Sequence, residues 1–226
     1  MECLQEVGLT APPSKCQLGF STMDYLGHTL KYGNLAPDAA KIEQLKDASQ
    51  PTTKTEVRSF LGFAGCYRRH VPGFSTIALP LTDLTKKSAP NKVEWTDECK
   101  IAFQRLKRAL TAEAILRLPD LECKFVLRTD ASDAGLGAVL LQEHEGVLHP
   151  VAYGSRKLNS AERNYTVTEK ECLAVIFGIS KFERYLYGRR FTLQVDHQPL
   201  AYLRQAKLTN GRLMRCSLYL QQYNIH

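Results

Sequence analysis

The sequence has no long apolar run. The apolar run Leu173 to Ile179 falls far short of the roughly 20 residues that span a bilayer. The opening Met1-Glu2-Cys3-Leu4-Gln5-Glu6 is acidic and lacks an apolar signal core, so no targeting segment is read there. No C-x-x-C pair occurs. The seven cysteines, at 3, 16, 66, 99, 123, 172 and 216, are scattered and odd in number. That argues against a disulfide framework and a zinc knuckle, and for small buried hydrophobes in a reducing compartment. No internal repeat or low-complexity tract is present. The expectation is a soluble, intracellular chain with no membrane contact. Acid is in deficit: the formal net charge is +7. This balance fits a polyanion partner and, equally, plain solubility.

What is present divides by character. The 226 residues suffice for one large or two modest domains. Residues 1–35 read as the tail of something larger. Gly8-Leu9-Thr10-Ala11-Pro12-Pro13 forms a turn, and β-prone pieces follow at Cys16–Phe20 and Tyr25–Leu30, a hairpin with little core of its own. Residues 37–118 read as helical. Thr53-Lys54-Thr55-Glu56 matches a capping box, and its helix stops before Val71-Pro72-Gly73. A segment from Ser75 to Lys87 has Pro80 inside it. Thr96 caps a helix with Phe103, Leu106 and Leu110 at helical spacing. Leu118-Pro119-Asp120 marks a boundary. Residues 121–226 give three strands in a meander, a helix from about Val167 to Leu186, and a strand ending at Asp196. Helical patterns follow at Gln198–Arg204 and Arg212–Gln221, and Tyr223–His226 resembles a strand cut off as it begins. The fold class is α/β, α+β overall.

Two strand ends carry chemistry. Phe125-Val126-Leu127-Arg128-Thr129-Asp130 is an apolar run that ends in an acid and a small-residue turn, and Phe191-Thr192-Leu193-Gln194-Val195-Asp196 repeats the design. The plainer reading of either aspartate alone is a turn or helix cap. The pair with a glutamate-bearing helix between them is the core of a two-metal nuclease, in which one ion activates water and the other steadies the leaving oxygen. Magnesium takes such oxygen ligands. Periodicity selects the glutamate. Glu171 shares a face with Val167, Ala174, Val175, Gly178, Ile179 and Phe182, so it points inward, and the small residues let the helix approach the sheet. Glu169 shares a face with Leu173 and Ile176, but also with Ser180, Glu183 and Arg184. It reads as a solvated first-turn acid.

Several motifs then resemble a known family. Thr129-Asp130-Ala131-Ser132, Ser155-Arg156-Lys157-Leu158, Glu162-Arg163-Asn164-Tyr165, Glu169-Lys170-Glu171 and Asp196-His197-Gln198-Pro199-Leu200 resemble the ribonuclease H domain of Gypsy-type LTR retrotransposon Pol polyproteins. Tyr25-Leu26-Gly27-His28 is similar to the primer-grip hairpin of the reverse transcriptase. Arg58-Ser59-Phe60-Leu61-Gly62 with Tyr67-Arg68-Arg69 is similar to its thumb, and Trp95-Thr96 with Ala102-Phe103 to the connection. The resemblance implies the end of the palm at 1–35, thumb and connection at 36–120, and an incomplete ribonuclease H-like domain of mixed sheet and helices at 121–226. It implies that Asp130, Glu171 and Asp196 are three of four metal-binding carboxylates. With two Mg2+ (or Mn2+) ions the family's site would cleave RNA in an RNA–DNA hybrid, an activity expected to be weak or lost in these residues; the alternative is a non-catalytic nucleic-acid-binding or scaffold remnant of the same polyprotein.

The fourth carboxylate is expected beyond His226, and the palm aspartates before residue 1. The resemblance places the protein in the cytoplasm, within a virus-like particle, beside the rest of a Pol polyprotein. It puts Tyr25, Gly27, Arg58, Gly62, Cys66, Arg68 and Arg69 against a template–primer duplex. Thr166 and Thr168 are candidates for a phosphate at a helix start, and helix capping is the plainer account. Gly62 reads as a close approach to the duplex or as a helix–helix contact. Cys66 stands where an aromatic is usual, His70 where Phe is, and Cys216 where Trp is. His197 reads as a hydrogen-bonded histidine near the sheet end rather than a catalytic base.

Overall fold

A computed structural model of the chain describes Gly8 and residues 19–112, 115–196 and 211–226. Two sheets organise these residues. The first contains β1 (Thr22–Tyr25), β2 (His28–Lys31), β3 (Asn34–Pro37) and β4 (Leu116–Arg117), in that order and antiparallel throughout. The expected single strand over Tyr25–Leu30 is divided. Leu26 and Gly27 form a two-residue turn with φ of 49° and 80°. Of the expected strand at Cys16–Phe20, residues 16–18 lie outside the described part, and Gly19 and Phe20 are not in a strand.

That turn is of the kind that matches the twist of a hairpin, and it requires left-handed backbone at both positions. Glycine adopts this freely; leucine does so at a cost of about 1–2 kcal/mol. Leu26 is 80% exposed, so burial does not offset the strain. Leu26→Asn is therefore expected to stabilise the chain by about 0.5–1 kcal/mol, since asparagine tolerates this conformation. Thermal denaturation followed by circular dichroism checks this. A lower melting temperature would mean that the leucine side chain is covered.

Between β3 and β4 lie five α-helices: α1 (Ala39–Asp47), α2 (Lys54–Cys66), α3 (Phe74–Ile77), α4 (Leu79–Asp83) and α5 (Asp97–Thr111). The Thr53–Glu56 capping box opens α2 as its sequence pattern predicts. The Ser75–Lys87 segment is two short helices, with Pro80 in the first turn of α4, where its missing N–H costs nothing. Val57, Phe60, Tyr67, Leu81, Phe103 and Leu106 form the core of this part.

The second sheet runs β7-β6-β5-β8-β9. Its meander is β5 (Phe125–Ala131), β6 (Gly135–His144) and β7 (Val147–Lys157), all antiparallel. After α6 (Val167–Lys181) and α7 (Glu183–Leu186), β8 (Arg190–Val195) returns parallel to β5. Helix α8 (Gly211–Leu220) leads to β9 (Asn224–Ile225), parallel to β8. The expected helix at Gln198–Arg204 lies outside the described residues. Phe125, Leu127, Leu140, Val175, Ile179, Leu186 and Phe191 pack between the sheet and α6. No described helix is long and apolar enough to cross a membrane. One cysteine expectation is corrected: Cys172 on α6 and Cys216 on α8 form a disulfide within this core.

Candidate active site and nucleic-acid surface

Register sets the site. β5 and β8 pair in parallel from Phe125 opposite Phe191 to Thr129 opposite Val195. Asp130 and Asp196 are the next residues on these neighbouring strands. Across the pleat, Leu127 and Thr129 face α6, while Arg128 and Asp130 are exposed. Arg128 crosses to Gln194, its Nε and Nη2 donating to Gln194 Oε1 at 3.1 and 2.9 Å. This bond ties the two strands together two residues before the aspartates.

Helix α6 supplies the third acid, and it lies very close to the sheet. A Cβ on Gly178 would come within 2.9 Å of Thr129 Cγ2, 3.2 Å of Ala138 Cβ and 3.3 Å of Leu127 Cδ1. Glu171 lies two turns toward the N-terminus on the same face, 6% exposed. Lys170 beside it is nearly buried and reaches Asp133 Oδ1 at 2.6 Å, pinning the β5–β6 loop to α6. That ammonium holds the Asp133 carboxyl below its ordinary value. Among the described residues, no group of three or more His, Cys, Asp and Glu side chains could hold a metal ion. The structure thus brings Asp130 and Asp196 to adjacent strand ends, with Glu171 buried on the helix. By donor chemistry, three carboxylates suit a hard divalent cation.

Glu169 differs from its expectation. It is buried at 6% and not solvated. Its Oε2 accepts from the Thr166 amide at 2.9 Å and the Thr166 hydroxyl at 3.1 Å, closing a capping box. Its Oε1 accepts from Arg212 Nη1 at 2.9 Å, and the Arg212 guanidinium stacks 4.4 Å over the Tyr165 ring. The Thr166 hydroxyl is therefore engaged in capping; Thr168 is half-buried in the first turn of α6. Sequence reasoning also missed the pair of Arg156 and Glu162, two bonds at 2.7 and 3.0 Å. Arg156 holds the Glu162 carboxyl below the usual range. The pair explains the joint presence of the Ser155–Leu158 and Glu162–Tyr165 motifs.

The duplex candidates scatter over the first half. Tyr25 is exposed at the hairpin tip, and Gly27 O accepts from Tyr67 Oη at 2.9 Å. On α2, Gly62 is exposed with nothing within 4 Å of an added Cβ, so it makes no helix–helix contact among the described residues. Cys66 is exposed, its Sγ donating to Gly62 O. Arg58 is exposed and donates to Thr85 O at 3.1 Å. Arg69 is exposed. Arg68 bonds Ser155 O on β7 at 3.0 Å, so part of its guanidinium joins the two halves. His197 lies outside the described residues.

These features define a class. Residues 120–223 match the RNase H-like domain found in reverse transcriptase. Over nearly its whole length the chain is similar to Pol polyproteins of retrovirus-like transposons. It is 37% identical over 220 residues to the retrovirus-related Pol polyprotein from transposon 412 of Drosophila melanogaster, covering 97% of this chain and 18% of that one. With the polyprotein from transposon gypsy of the same organism it shares 34% identity over 235 residues, 99% of this chain and 22% of that one. The chain thus spans about a fifth of the length of these relatives. Two solved structures share the fold at 23% identity. One is a foamy viral protease-reverse transcriptase in complex with RNA/DNA hybrid, with TM-score 0.75 over 94% of this chain and 30% of that one. The other is a foamy viral protease-reverse transcriptase dRH in complex with ds DNA, with TM-score 0.79 over 100% of this chain and 40% of that one.

Proposed function

We propose that this chain grips a nucleic-acid duplex with its first half and hydrolyses RNA in an RNA–DNA hybrid with its second. Residues 1–35 act as the palm end with the primer grip, 36–120 as thumb and connection, and 121–226 as the ribonuclease H-like domain. The observation that carries this reading is the parallel register of β5 and β8, which brings Asp130 and Asp196 to the same end of the sheet. Asp130, Glu171 and Asp196 would hold two Mg2+ (or Mn2+) ions. When bound, such ions activate water and stabilise the leaving oxygen. The chain's own part is to fix the carboxylates on rigid elements and to hold the phosphate backbone. Tyr25, Gly27, Arg58, Gly62, Cys66 and Arg69 would line the duplex, with Thr168 near the helix start. The protein would work in the cytoplasm, within a virus-like particle, joined to the rest of Pol.

A second reading, a non-catalytic nucleic-acid-binding or scaffold remnant of the same polyprotein, draws on the exposed cations of the first half, Arg58 and Arg69. A labelled hybrid separates the two. On the catalytic reading, Asp130→Asn and Asp196→Asn each lower magnesium-dependent cleavage at least about tenfold, by loss of a charge-stabilising contact, while hybrid binding persists. Wild-type protein that binds the hybrid but cleaves no faster than Asp130→Asn would leave the binding module standing.

A further inference from the structure

Four cations meet where the helical segment abuts the edge strand β7. Arg68 Nη2 donates to Ser155 O at 3.0 Å, and Ser75 holds the same residue through its amide (2.9 Å to Ser155 Oγ) and its hydroxyl (2.8 Å to Ser155 O). One residue back along β7, the stem of Lys181 lies over Gly154, where an added Cβ would come within 3.1 Å of Lys181 Cγ. Arg69 follows Arg68 in the 3-10 turn Arg68–His70. Arg184 lies one helical turn beyond Lys181, with its guanidinium 4.8 Å over the Tyr185 ring. All four residues are exposed.

Among the described residues none of the four takes part in an ion pair, whereas Arg156, Lys170 and Arg212 each have a carboxylate. The acid nearest in sequence, Glu183, accepts from Tyr223 Oη at 3.5 Å. The crowding registers on Lys181. Burial of its stem, followed by the charges of Arg68, Arg69 and Arg184, holds its ammonium below the ordinary lysine value. Gathering like charges from two distant parts of the chain costs stability unless an anion joins them.

We propose that Arg68, Arg69, Lys181 and Arg184 form a clamp for a nucleic-acid phosphate backbone, built jointly by both halves of the chain. Ser155 pairs with Gly137, which pairs with Asp130, so the clamp lies in the same row of the sheet as the candidate active site. Ser155 and Asp130 are two strand spacings apart, about 10 Å. A strand held there is contacted by both halves at once. The clamp rests on the nucleic-acid reading above and is independent of hydrolysis.

Binding of a fluorescent RNA–DNA hybrid to the chain across a potassium chloride series tests it. The seam triple is Arg69→Gln, Lys181→Gln and Arg184→Gln; Arg68 is kept because it also bonds Ser155. The comparison triple is Lys87→Gln, Arg105→Gln and Arg108→Gln, exposed residues with the same charge change. Each phosphate contact contributes about 0.9 to the slope of log K against log salt. The seam triple is expected to lower that slope by roughly 2 to 3 and to weaken low-salt binding more than about tenfold. The comparison triple should lower it by less than about 1. Melting temperature should hold or rise in the seam triple, because repulsion is relieved. Should the triple melt lower, single Arg69→Gln and Arg184→Gln variants carry the test, since those side chains make no hydrogen bond among the described residues. Equal losses in both triples, or none in the seam triple, overturn the clamp while the nucleic-acid reading stands. A wild-type chain that binds no hybrid at low salt removes both.

Discussion

Gly178→Val is expected to destabilise the protein by about 3 kcal/mol or more, the upper end of what overpacking costs. For a chain of this size that lowers the melting temperature by roughly 6 °C or more. The argument is steric. A single Cβ at 178 would already lie 2.9 Å from Thr129 Cγ2, and two further methyls would follow it toward Ala138 and Leu127. Those neighbours cannot retreat. Leu127 is fully buried and Thr129 is 2% exposed, both within a strand paired on each side. Relief must come from α6 lifting off the sheet, which would also move Glu171. Gly62→Ala is the matched contrast. There a Cβ meets nothing, so the helix gains about 1 kcal/mol of propensity. Denaturation of both variants in urea measures the difference directly. A Gly178→Val protein as stable as the parent would mean that α6 and β5 are farther apart than described.

The close approach at Gly178 was legible because periodicity alone put Ala174 and Gly178 on the face that meets the sheet. The strand-end aspartates were legible for a similar reason: an apolar alternation that breaks at an acid marks where a buried strand emerges. Reading failed where a distant element decides the outcome. The turn at Leu26-Gly27 has no Asn or Asp at its first position, and leucine in left-handed backbone is not a pattern that propensity anticipates. Cys172 and Cys216 are 44 residues apart, and spacing said nothing of their pairing. Arg68 reads as half of a basic pair on a helix end. Only the packing of α3 against β7 shows that its guanidinium reaches Ser155.

Glu169 and Glu171, two residues apart, are expected to fail in different ways. The Glu169 carboxylate closes the capping box and pairs with Arg212, with 5% of its side chain exposed. Its face had read as solvated because Ser180, Glu183 and Arg184 lie farther along it. Helix α8, arriving some 40 residues later, covers the N-terminal part of that face. The pattern Thr166-x-x-Glu169 could have indicated the capping box; nothing local could have indicated Arg212.

Glu169→Ala removes a cap worth about 1 kcal/mol and one partner of a buried pair. Arg212 is half exposed and can return to water, so the total sits near 2 to 3 kcal/mol, below the usual range for such pairs. Glu169→Gln keeps a box-competent side chain and should cost less. Glu171→Gln keeps the size of the side chain and relieves the desolvation of a buried carboxylate, so the melting temperature should stay nearly constant. Hybrid cleavage should fall on the order of a hundredfold or more, because a charge that steadies the reacting centre is gone. Thermal melts and a cleavage series on the same preparations give both readouts. If Glu169→Ala melts like the parent but does not cleave, while Glu171→Gln melts early and cleaves normally, the roles of the two glutamates are exchanged. The helix would then present its other face to the substrate.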